Sequence, residues 1–71
     1  MAVLKVIELL ANSPKSWEDA AQNAVTHASK TIRKIRSVNV RNMSVVVGDG
    51  GTISEFRLNV KITFEVDGAE A

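Results

Sequence analysis

Glu18 and Asp19, adjacent within SPKSWEDAA, come nearest to a chemical site of any residues in this chain. Their carboxylates, with the carbonyl-rich turn Asn12–Ser16 before them, offer the hard oxygen donors that calcium or magnesium takes. Two carboxylates are thin ligation unless symmetry brings copies together. Both also suit a plainer role. Acidic side chains in the first turn of a helix complement its positive end, and Asp19, three residues after Ser16, completes a capping pattern. Capping is the better reading for Asp19, which leaves Glu18 as the leading metal ligand.

Other chemistry is excluded more simply. His27 is the sole histidine and there is no cysteine, so a zinc site has no donor set. His27 has no serine or carboxylate at a useful spacing, and no nucleophile–base pair suggests an enzyme. The Gly-Asp-Gly-Gly run at 48–51 lacks the Lys-Ser/Thr ending of a phosphate loop and reads as a turn. Lys30, Arg33, Lys34 and Arg36 have no interleaved aromatics, and the net charge is only +1, so neither nucleic acid nor membrane is expected as a partner.

The elements that must position these residues belong to one domain, residues 1–71. A core of this size supplies only ~3–5 kcal/mol, and small domains add disulfides, metals or further copies. With 45% hydrophobic residues and no other staple, self-association is the expected remedy. No run is long and apolar enough for a secretory signal or a membrane span, which predicts a soluble, cytoplasmic protein.

Residues 2–10 form a strand that is apolar on both faces: Val3, Ile7 and Leu9 on one, Leu4, Val6 and Leu10 on the other. Asn12, Ser13 and Pro14 break it. Ser16 reads as a helix N-cap, although Ser13 capping a helix that begins at Pro14 would also serve. From Trp17 to Ile35 the residues Trp17, Ala20, Ala21, Ala24, Val25, Ala28, Thr31, Ile32 and Ile35 fall within roughly 140° of a helical wheel. Lys30, Arg33 and Lys34 would then occupy the last turn. The mostly alanine stripe suits a sheet wrapped closely around the helix, with Trp17 as a core or subunit-contact plug.

Residues 36–47 read as a second strand with a phase slip. Val38 and Val40 share one parity and Met43, Val45 and Val47 the other; a bulge near Arg41–Asn42 or a switch of buried side would explain it. Asp49-Gly50 suits a type I′ turn. In the third strand Phe56, Leu58, Val60, Ile62, Phe64 and Val66 alternate with Glu55, Arg57, Asn59, Lys61, Thr63 and Glu65. The order is β-α-β-β. A right-handed crossover predicts an α+β fold, a three-stranded antiparallel sheet of order 1-3-2 curled around one amphipathic helix.

The segments KVIEL (5–9), SPKSWEDAAQNAV (13–25), ASKTIRKIRSVNV (28–40) and FRLNVKITFEV (56–66) resemble the dodecin family over nearly the whole chain. The resemblance implies a hollow shell of twelve identical subunits that binds or sequesters a small ligand, by default a flavin or coenzyme A. A calcium-binding or purely structural branch without flavin is the alternative, and SPKSWE is similar to its corresponding stretch. Where flavin-binding members stack a tryptophan on the ring, the matching position holds Ser37; where they use a glutamine, it holds Arg57. The resemblance therefore implies weak or absent flavin affinity. Arg41 and Asn39, with Arg36, would line the equivalent pocket, where guanidinium groups suit phosphate or carboxylate. Glu55, Lys61 and Glu65 are better read as cross-strand ion pairs at subunit contacts, and Arg57 suits either role.

Overall fold

The computed structural model describes residues 2–66. Its elements are β1 (Leu4–Ser13), α1 (Trp17–Ala28), β2 (Ile35–Val47), a short 3-10 turn (Asp49–Gly51) and β3 (Ile53–Glu65). The strands form one sheet of order β1-β3-β2, with β3 antiparallel to both neighbours. This is the expected α+β arrangement.

The period of two in β3 drives the packing. Leu58, Val60 and Ile62 point at the helix and are buried, and they close on the buried stripe Ala20, Ala24 and Ala28. Alanine lets the helix lie close to the sheet. Ile7, Leu9 and Ala11 of β1 and Val38 of β2 pack around this centre. In β2, Val40 pairs with Val60 and Asn42 with Asn59, which leaves Arg41 as an extra residue. That bulge explains the phase slip: it returns Met43 and Val45 to the helix side, opposite Leu58 and Phe56.

The ends of the elements and the hairpin turn refine the sequence reading. Strand β1 continues through Asn12 to Ser13, because Ser13 sits opposite Phe56 on the buried face and its hydroxyl organises the start of the helix. The helix begins after Ser16, the N-cap read from the sequence, and not at the competing Pro14 start. It ends at Ala28, so Lys30, Arg33 and Lys34 lie beyond it; turn bonds carry the winding as far as Ile32 N–H to Ala28 O, and Lys34 then enters the left-handed region at φ 62°. Finally, the hairpin is no type I′ turn on Asp49-Gly50: the positive φ values belong to Gly50 and Gly51.

The helix is short for the sheet it serves. Its 12 residues span ~18 Å, against ~43 Å for the 13 residues of β3. The far end of the β2–β3 hairpin therefore projects past the helix, and Val47 and Ile53 are exposed there. On the other side of the sheet Leu4, Val6 and Leu10 of β1 are exposed too, as the two-faced strand pattern implied.

Candidate functional site

The start of α1 separates the two carboxylates. Ser16 Oγ accepts from the Asp19 N–H at 3.0 Å, as an N-cap should. The Asp19 carboxylate does not return to the Ser16 backbone. It accepts instead from the hydroxyl of fully buried Ser13 at 2.7 Å, and Ser13 Oγ accepts in turn from the N–H of Lys15 at 2.9 Å and of Ser16 at 3.4 Å. Asn23 Nδ2 also approaches the same Asp19 oxygen, at 3.4 Å. Asp19 is thus bound into the joint between β1 and α1. Glu18, one residue earlier, is exposed, and its side chain makes no hydrogen bond or ion pair among the described residues. No group of three or more His, Cys, Asp or Glu able to hold a metal occurs among the described residues.

Trp17 spans helix and sheet. Its Nε1–H donates to Ser44 O at 3.1 Å, and its ring meets Phe56 edge-on with centroids 5.1 Å apart. Beside it opens an apolar cleft of about 270 Å³ lined by Trp17, Glu18, Ala21, Val40, Met43 and Leu58. Sequence reasoning missed this cleft. Its walls come from three elements distant in sequence, α1, β2 and β3, and only the bulge at Arg41 brings Met43 to that side.

The residues matched to the family's ring-binding pocket lie on β2 and β3 away from the helix. Ser37 pairs with Thr63, Asn39 with Lys61 and Ser44 with Arg57. Ser37 and Arg57 are therefore six residues apart along β3, ~20 Å, and one chain does not bring them together. Arg57 Nε–H donates to Asn12 Oδ1 at 3.1 Å. Arg36 pairs with Glu65 through two nitrogens, each 2.9 Å from one carboxylate oxygen. That pair lies within the chain, where Glu65 was expected at a subunit contact. Arg41 is exposed in the bulge.

A flavin clamp does not fit this face. The chain has one Trp, two Phe and no Tyr, and all three rings stand on the helix side: Trp17 against Phe56, with Phe64 in the buried phase of β3. What remains around Ser37 is hydroxyl, amide and ammonium, which offer no flat surface for a ring.

Residues 3–67 match the family model described as Dodecin. A calcium dodecin of Mycobacterium tuberculosis is 34% identical over 70 residues, covering 99% of this chain and 97% of that protein. A crystal structure of calcium dodecin from the same organism, described as a calcium-chelating antigen with a calcium-binding site, superposes with a TM-score of 0.81 at 32% identity, covering 97% of each chain. Dodecin from Streptomyces coelicolor gives a TM-score of 0.88 at 29% identity and 93% coverage of both chains. Sequence, strand order and backbone geometry agree: the chain belongs to the dodecin family.

Proposed function

We propose that this chain is the subunit of a twelve-copy hollow shell that holds a small ligand, with riboflavin bound weakly or not at all. The observation that carries the reading is the uncovered apolar surface. A compact chain of this length has a radius of gyration near ~11 Å, whereas this one measures 14.6 Å and leaves Leu4, Val6, Leu10, Val47 and Ile53 exposed. Further copies supply the missing cover. The protein's first partner is itself, and no catalytic step is assigned to it. A cytoplasmic setting belongs to the same reading.

The absence of an aromatic clamp supports a ligand class other than a bare flavin ring. Ser37, Asn39, Arg41 and Arg57 suit anionic groups such as the phosphates of coenzyme A better than a bare isoalloxazine ring. Stacking of a base on an aromatic side chain contributes ~1–3 kcal/mol, so restoring it should be visible. Titration with riboflavin should show little quenching of Trp17 in the native protein. Ser37→Trp with Arg57→Gln should then tighten binding about tenfold or more. No gain would mean that these positions do not form the pocket.

A second reading is favoured by the 34% identical calcium dodecin. Here Glu18 copies from neighbouring subunits would share a calcium or magnesium ion, since Asp19 is already engaged at the helix start. Calcium should raise the melting temperature, and Glu18→Ala should abolish the rise.

A further inference from the structure

We propose that the Trp17 cleft binds a small organic cation, an amine or quaternary ammonium on an apolar body, with Glu18 as its counter-ion. The inference stands apart from the shell and from the family's ring-binding positions, which lie on the other face of the sheet. Trp17, Ala21, Val40, Met43 and Leu58 supply the walls, and Glu18 is the one charged residue among those that line the cleft. Leu58 is buried, while Val40 and Met43 are 45% and 57% exposed. An apolar body seated there would take that apolar surface out of water. A volume of about 270 Å³ equals roughly nine molecules of liquid water, room for an aryl or short alkyl group.

The lining also decides the charge of the occupant. Glu18 is exposed, and its side chain makes no hydrogen bond or ion pair among the described residues. No Lys, Arg or His stands with it in the lining, so an anion meets repulsion there and a cation meets an unanswered charge. The one hydrogen-bond donor among the lining side chains, Trp17 Nε1–H, is already given to Ser44 O. A neutral polar ligand would therefore lose its hydration without gaining new hydrogen bonds. A metal ion wants a full shell of oxygen donors, which one carboxylate among hydrocarbon walls does not provide. An ammonium on an apolar body matches both parts of the lining, and the indole adds an aromatic wall of the kind that holds such cations.

Titration with phenethylammonium in chelator-treated, low-salt buffer tests the site. Two probes of similar body serve as controls: 2-phenylethanol, which is neutral, and phenylacetate, which is anionic. Trp17, the chain's only tryptophan, reports occupancy by its emission, and the Met43 methyl group reports it by NMR. The ammonium should bind about threefold or more tighter than the alcohol, with phenylacetate weakest, and added salt should narrow the gap. Glu18→Gln, at an exposed position, should bring the ammonium close to the alcohol. Equal affinity for ammonium and alcohol in the native protein, a preference undiminished by Glu18→Gln, or a saturating amine that leaves the Met43 methyl unshifted would each overturn the proposal. Absence of any binding would overturn it too, and would mark the cleft as covered by another copy of the chain.

Discussion

The inner face of β3 and the outer face of β1 are built from similar side chains and end differently. Val60 and Ile62 are fully buried against an alanine stripe, whereas Leu10, on the other side of a neighbouring strand, is 69% exposed. Hydrophobicity is alike; cover is not. A 12-residue helix can shield only one face and under half the length of a 13-residue strand, so the chain completes one core and leaves two apolar surfaces open. The closed core holds the fold together. The open surfaces are what the proposed assembly would cover.

The contrast can be broken first at its closed end. Ile62→Ala removes side-chain volume from a site with no solvent access and should cost ~2–5 kcal/mol, most of what a domain this small holds. Thermal unfolding of the dilute protein should lose its cooperative transition or shift sharply downward. At the open end, Leu10→Glu should leave far-UV circular dichroism unchanged and yet disrupt the assembly, as size-exclusion chromatography with light scattering would show. A loss of fold there, with no change in size, would erase the distinction between the two faces.

Smaller effects belong to the joint between β1 and α1. Ser13→Ala would leave the backbone N–H of Lys15 and one Asp19 oxygen without their buried partner, at ~1–3 kcal/mol in urea unfolding. Ser16→Ala should cost ~1 kcal/mol through the lost cap. The smallest change is expected for Arg36→Ala, whose ion pair with Glu65 has side chains 53% and 29% exposed and is worth less than ~1 kcal/mol.

The strand content was readable in the sequence where the physics is local and strictly periodic. Six alternating apolar residues located β3, and the broken parity between Val40 and Met43 pointed to a bulge near Arg41–Asn42 or a switch of buried side, of which the register shows the bulge. The helix end was not readable, because Thr31, Ile32 and Ile35 continue the stripe by residue type while the backbone leaves the helix at Ala28. No periodicity reports a lysine turning through φ 62°. At the candidate site, the engagement of Asp19 at the helix start was legible from capping chemistry. The buried Ser13 hydroxyl that fixes Asp19 was not, since Ser13 looked like the residue that ends a strand. The Trp17 cleft was invisible for a different reason: it exists only after the hairpin has folded back over the helix.

Native mass spectrometry of the untreated protein at low micromolar concentration tests the central claim most directly. Twelve times the subunit mass of 7.7 kDa is the expected result. A single 7.7 kDa species that still unfolds cooperatively would contradict it, because the surfaces of Leu10 and Ile53 would then need no cover.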